Sequence, residues 1–301
     1  MKNILIINRL AKNCGIYQYG LNIFNTLKKN GINNYFYIET NDFQNLSEFL
    51  LVNNIDILIF NWYKPVMNWL TQEVLNNLSQ YEKYIIYHDG EYPYFNNISG
   101  ILINDPTKKV DNVYEYNIGR CLFNNIETKN KNKQITISSF GFPFLDKGFQ
   151  KLLNKVNNEF SGAIVRLHLP HANIDTFNLL KNQTLNEIKK FDLGKNELII
   201  TEDYLNNDEI LNWLSESNIN CFYYDEKPSH GISSVIDYAL SVDVPIGISK
   251  SIMFRHIYSE DIDLDINTIQ KIINNGLNPI YNHKKMWSNK NFILKFNNIF
   301  K

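Results

Sequence analysis

The feature that most constrains this chain is an alternation that runs along nearly its whole length. Short apolar, β-branched runs recur, and longer segments with helical spacing separate them. Ile4–Asn8, Tyr35–Glu39, Ile55–Phe60, Tyr84–His88 and Ile101–Asn104 read as strands, with Asn112–Tyr116 a further candidate. Runs that are apolar throughout, rather than at every second position, belong to strands buried on both faces, as in a parallel sheet. The spacing predicts helices over Tyr17–Lys29, Phe43–Leu51 and Met67–Gln80. The pattern then repeats. Strands are expected at Ile135–Ser139, Ala163–His168, Glu197–Thr201, Ile219–Tyr224 and Pro245–Ser249, and helices at Lys147–Asn158, Thr176–Phe191, Asp208–Ser217 and Ser233–Val242. Repeated β-α units close into doubly wound parallel sheets, so two Rossmann-like α/β halves are expected.

Length agrees with this division. A chain of 301 residues fits two domains at roughly 100–200 residues each. The stretch from Asn124 to Lys133 is polar and reads as the connection. The expected domains are therefore 1–131 and 132–284. An amphipathic helix over Lys284–Phe300 carries Trp287, Phe292, Ile293, Phe296 and Ile299. No strand follows it, so it must dock on a layer already built, and 285–301 are expected to join the first domain.

Charge and composition exclude some classes. The formal net charge is -1, which argues against a nucleic-acid partner held by phosphate neutralisation. Asn and Ile are abundant and Ala is scarce, which reads as a compositional bias. The three cysteines, Cys14, Cys121 and Cys221, are far apart and in no metal-ligand spacing, so free thiols in a reducing cytosol are expected. The opening apolar run is too short for a signal peptide, and no stretch approaches the ~18 apolar residues of a membrane span. A cytoplasmic protein is expected, with peripheral attachment to the inner face of the membrane left open.

In open parallel sheets ligands bind beyond the carboxyl ends of the strands, so the chemistry belongs in the loops after each run. The first such loop carries Gly15 at a helix start, where backbone N–H groups can hold a phosphate or a sugar hydroxyl. It lacks the paired glycines of a dinucleotide fingerprint, which disfavours a nicotinamide cofactor. The fourth strand ends in His88-Asp89, a pair able to bind a polyol or to move protons. Lys147 stands at the start of a helix, against the dipole, and a bound phosphate would reconcile the two. Arg166 lies in an apolar run, so it calls for either an ion-pair partner or a ligand. Gly231-Ile232-Ser233-Ser234 precedes a helix and can cradle an anion or simply cap the helix. His230 precedes this segment, and Asp237, one turn into the helix, can reach a ribose hydroxyl.

Taken in order, these segments resemble the family-4-type retaining glycosyltransferases of the GT-B fold. Cys14-Gly15-Ile16-Tyr17 is similar to that family's N-terminal glycine loop. Tyr87-His88-Asp89 resembles its Thr-Val-His-Asp segment, and Gly141 to Gly148 resembles its Gly-Arg…Lys-Gly-Phe segment, with Lys147 at the lysine and Phe142 where arginine is expected. Ser229 to Pro245 resembles its Glu-x7-Glu region, but His230 and Tyr238 stand at the two glutamate positions and Asp237 is one residue off. The closing helix resembles the one that crosses back to the first domain.

The resemblance implies a retaining, metal-independent transfer of sugar from a nucleotide-sugar donor to a glycan or lipid-linked acceptor, in cell-surface polysaccharide or glycoconjugate synthesis. It implies no cofactor, a catalytic or sugar-positioning role for His88 and Asp89, and donor binding by Lys147, His230, Ser233, Ser234 and Asp237. Gly15 would lie on the acceptor side. Two alternatives stay open: an inactive nucleotide-sugar-binding partner subunit, and a nucleotide-sugar epimerase of the same fold.

Overall fold

The computed structural model describes residues 1–11, 14–88, 92–129, 133–170, 178–226 and 231–301. The chain divides into two compact units, Met1–Cys121 with Trp287–Lys301, and Leu122–Met286.

Unit 1 is a parallel sheet of six strands, β1 (Asn3–Asn8), β2 (Asn34–Glu39), β3 (Ile57–Trp62), β4 (Glu82–Tyr87), β5 (Gly100–Ile103) and β6 (Glu115–Asn117), in the order β2-β1-β3-β4-β5-β6. Its helices before Cys121 are α1 (Gly15–Asn30), α2 (Phe43–Val52) and α3 (Gln72–Asn77). Successive side chains of a strand face opposite layers, and both layers here are apolar. Ile4, Ile6, Ile57, Ile59 and Ile86 pack with Tyr19, Ile23 and Leu27 of α1. Leu5, Ile7, Leu58, Phe60 and Ile85 pack with Leu46 of α2 and Leu75 of α3. That double burial is why the runs read as continuous apolar stretches.

Unit 2 carries five parallel strands, β7 (Thr136–Phe140), β8 (Ile164–His168), β9 (Glu197–Thr201), β10 (Ile219–Phe222) and β11 (Ile246–Ile248), in the order β11-β10-β7-β8-β9. The helices are α4 (Phe149–Glu159), α5 (Asn178–Lys189), α6 (Asn207–Ser215), α7 (Val235–Leu240), α8 (Ile269–Asn275) and α9 (Tyr281–Met286). The two sheets reverse direction at different places. In unit 1 the order turns between β1 and β3, the flavodoxin-like arrangement, and in unit 2 between β7 and β10, the dinucleotide-fold arrangement.

Three expectations need correction. The polar stretch after Cys121 is no loose connection. Ile126 bridges Val242, the Phe123 N–H donates to Ser241 Oγ at 2.9 Å, and the Lys129 N–H donates to the Ser215 carbonyl at 2.8 Å. These bonds assign 122–129 to unit 2. The helix expected over Met67–Gln80 is confined to Gln72–Asn77, because Thr71 caps it by accepting from the Val74 N–H. The tail is two helices, α9 and α10 (Asn289–Ile299), with Trp287 between them. Phe292, Phe296 and Phe300 enter the α1 layer of unit 1, where the Phe300 ring meets Tyr84 edge-on at 4.8 Å.

Candidate functional site

At the carboxyl edge of unit 1, four strands each deliver one polar side chain to a single row: Asn8 from β1, Asn61 from β3, His88 after β4 and Asn104 after β5. Backbone carbonyls fix the direction of every bond in it. Asn8 Nδ2 donates to the Tyr17 carbonyl at 2.9 Å, so its Oδ1 accepts, from Asn61 Nδ2 at 2.8 Å. Asn61 Nδ2 also donates to the Ile16 carbonyl at 2.7 Å, which leaves Asn61 Oδ1 as an acceptor. It lies 2.5 Å from His88 Nε2, so that nitrogen carries the proton. His88 Nδ1 then accepts from Asn104 Nδ2 at 2.9 Å.

The imidazole is therefore neutral and both of its nitrogens are engaged. Burial, and secondly the Arg120 charge, lower its pKa from 6.5 to about 3. Arg120 itself lies over the Tyr19 ring, which meets His88 edge-on at 5.1 Å. Gly20 of α1 is what allows the row to form. A Cβ there would stand 2.5 Å from Asn61 Nδ2. With both nitrogens bonded, the His88 ring ties β3, β4 and β5 together at the sheet edge. Asp89 lies outside the described residues.

The other expected residues of unit 1 divide. Gly15 is the first residue of α1, preceded by Cys14, which makes no capping bond. The aromatic residues in the loops after β3 and β4 are mostly packed or bonded within the unit. Trp62 and Phe95 pack in the core at 5.6 Å, and Tyr92 bonds Glu115 through its hydroxyl, while Tyr94 is exposed.

In unit 2 the turn from β7 into α4 crosses the end of β10. Gly148 has φ 59°, and a Cβ there would stand 1.7 Å from the Tyr223 carbonyl oxygen. The Asp225 N–H donates to the Asp146 carbonyl at 2.8 Å. These contacts fix Lys147 over the point where the strand order reverses. Its Nζ lies 3.8 Å from the centre of the Tyr224 ring, and it makes no ion pair among the described residues. Gly148 also begins α4 without a side-chain cap, so first-turn N–H donors and an ammonium group share one turn.

The remaining residues expected to bind the donor are placed as follows. The Ser233 N–H donates to the Met253 carbonyl at 2.9 Å, and Ser233 is buried. Ser234 is the residue before α7 and its hydroxyl makes no capping bond. Asp237 is 3% exposed, so its carboxylate belongs to the interior of unit 2. Tyr238 is likewise buried between Phe123 and Phe140 and donates to Asn207 Oδ1 at 2.6 Å. His230 lies outside the described residues.

Arg166 takes the ion-pair alternative. Its NH1 lies 3.1 Å from Glu216 and 3.4 Å from the Trp213 carbonyl, and its guanidinium sits over the Trp213 ring. In register beside it across the sheet are Ser138 and Asn220. They reach Ser217 Oγ and the Leu214 carbonyl respectively. The row closes the carboxyl end of α6, where carbonyls lack helical partners. At the end of β8, His168 is 1% exposed; Nδ1 bonds Thr201 Oγ1 at 2.9 Å and Nε2 has no hydrogen-bond partner among the described residues. Burial, opposed by the Asp203 charge, takes its pKa down to about 4.

No family model matches the sequence, and no curated protein matches it. Solved structures do. Anabaena HepE, crystallised with UDP and glucose, aligns with a TM-score of 0.68 at 11% identity over 100% of this chain and 99% of its own. A UDP-forming α,α-trehalose-phosphate synthase from Burkholderia xenovorans gives 0.64 at 10% identity over 98% and 97%. An α-glucosyltransferase bound to UDP-glucose and DNA with an abasic site gives 0.62 at 14% identity, covering 99% of each chain. The fold is thus the α/β GT-B fold of glycosyltransferases. One neighbour of this fold is in complex with DNA, so the fold lends nothing to the expectation of no nucleic-acid partner, which rested on net charge.

Proposed function

We propose that this chain is a glycosyltransferase that takes its sugar from a nucleoside-diphosphate donor bound to unit 2. The observation that carries the reading is Lys147, pinned over the β7/β10 reversal at the start of α4 by the Gly148–Tyr223 contact. The full-length likeness to structures holding UDP or UDP-glucose supports it. As the bond from sugar to diphosphate breaks, negative charge grows on the leaving phosphate. Donors already aimed there lower the barrier, and an ammonium with helix N–H groups does this without a divalent ion. The acceptor, a glycan or lipid-linked sugar, would be taken by unit 1 near Gly15. Retention, membership of the family-4 type, a cytoplasmic location with peripheral contact to the membrane, and a place in cell-surface polysaccharide synthesis belong to the same reading and follow from the sequence resemblance. No helix among the described residues is long and apolar enough to cross a membrane.

One observation favours a second reading, a partner subunit that binds the donor without turnover: Tyr238, at a position where the resembling family has glutamate, is buried and bonded to Asn207. The experiment is a thermal-shift screen of UDP, GDP, ADP and their sugar conjugates, followed by an assay for nucleotide release. The proposal expects stabilisation by at least one nucleoside diphosphate, release that persists in EDTA, and a roughly tenfold or greater loss of affinity in Lys147→Ala. Stabilisation without release selects the partner subunit. No stabilisation by any of them refutes the donor site.

A further inference from the structure

Tyr224 follows β10 and is 3% exposed, yet its hydroxyl has no hydrogen-bond partner among the described residues. Buried phenols normally find one, and an orphaned hydroxyl in a packed interior calls for an explanation. Its ring is held fast. Phe254 packs on it at 4.7 Å between centroids, Lys147 Nζ lies 3.8 Å from its centre, and its own carbonyl accepts from Ser249 Oγ at 2.6 Å. The hydroxyl cannot swing away to solve its problem locally. Beside it runs the turn after β7, where Gly141 has φ 145° and a Cβ would stand 3.6 Å from the hydroxyl oxygen. A glycine there keeps a side chain away from a polar atom that needs a partner.

We infer that the Tyr224 hydroxyl is a further donor-binding group, donating its proton to a phosphoryl oxygen of the nucleoside diphosphate that Lys147 neutralises. This rests on the reading of the previous subsection and adds to it a residue of neutral chemistry. A phenol is a donor at neutral pH, and a phosphate oxygen is the strong acceptor that the ammonium would bring to it. In the free protein the ammonium rests on the face of the same ring, so ligand binding exchanges a cation–ring contact for a charge-assisted bond and fills the orphaned valence in the same step.

The test is Tyr224→Phe, which keeps the ring, its Phe254 contact and the seat for Lys147 and deletes the hydroxyl alone. Titration uses whichever of UDP, GDP or ADP stabilises the wild-type chain most, with the matching nucleoside as control. The expected result is about a tenfold or greater loss of diphosphate affinity, nucleoside affinity unchanged, and a thermal midpoint of the free protein that stays put or rises. Wild-type diphosphate affinity in Tyr224→Phe overturns the inference and leaves the Lys147 site standing. A lowered midpoint also overturns it, because the hydroxyl would then be bonded within the fold. If the wild-type chain binds none of the three diphosphates, the donor site and the inference fall together.

Discussion

The two sheet edges are built from similar units and treat their polar groups in opposite ways. In unit 1 the row Asn8–Asn61–His88–Asn104 runs across four strands, and each amide and ring nitrogen in the links between them meets a partner. In unit 2 the edge carries Tyr224 and His168, each deeply buried and each with an atom that finds none among the described residues. A fully satisfied polar network stiffens a scaffold, and a buried group left unsatisfied calls for an explanation. The contrast is of rows, not of whole units, for Arg9 Nε and Trp62 Nε1 are also unpartnered in unit 1.

The largest break in the comparison is expected at Gly148, where a left-handed backbone meets the Tyr223 carbonyl. Gly148→Ala should cost about 3 kcal/mol in urea unfolding, and should abolish diphosphate binding in whatever fraction stays folded; retention of full stability would mean that the turn does not press on β10 as described. A smaller loss, about 2 kcal/mol, is expected for Asn61→Ala, which strands the His88 Nε2 proton and the Ile16 carbonyl. Diphosphate affinity should survive this change, since the row lies in unit 1. If affinity falls with stability, the two edges are not independent and the comparison fails.

The mildest test is acidity. His88 and His168 both titrate below the ordinary 6.5 in the folded chain. A group with a depressed folded pKa gives stability that is complete above its unfolded pKa and drains away as pH falls towards the folded value. Each histidine should therefore cost about 1 kcal/mol between about pH 7 and pH 5.5. His88→Gln should lose less over that interval than the wild-type chain. An equal loss in the two proteins would show that His88 titrates near its ordinary value and that the row leaves it accessible to protons.

The central strands were legible because double burial turns runs such as Asn3–Asn8 and Ile57–Trp62 into nearly unbroken apolar stretches, and the half-exposed edge strand Glu197–Thr201 still has the same bounds in sequence and structure. Lys147 stood out in the sequence because a cation at a helix start is an electrostatic anomaly. The asparagine row was not. In a chain so rich in asparagine, Asn8, Asn61 and Asn104 look like composition, and only strand register shows that each ends an apolar run at the same edge. Tyr224 was hidden differently: its aromatic ring extends the apolar pattern of β10, so it reads as one more strand residue. The helix α8 was missed because its buried Ile269 and Ile272 give too short a stripe to stand out. Arg166 left two alternatives, and only the position of the α6 terminus decided between them.

The docking of Trp287–Lys301 on unit 1 sets an order on synthesis. A ribosome delivers the six strands of unit 1 early, but the aromatic ridge of Phe292, Phe296 and Phe300 that completes their α1 layer emerges only after all of unit 2. Until then the layer lacks the rings that pack on Tyr35 and Tyr84. The core of unit 1 is thus joined from segments that lie on either side of unit 2 in the sequence, whereas unit 2 is one continuous stretch.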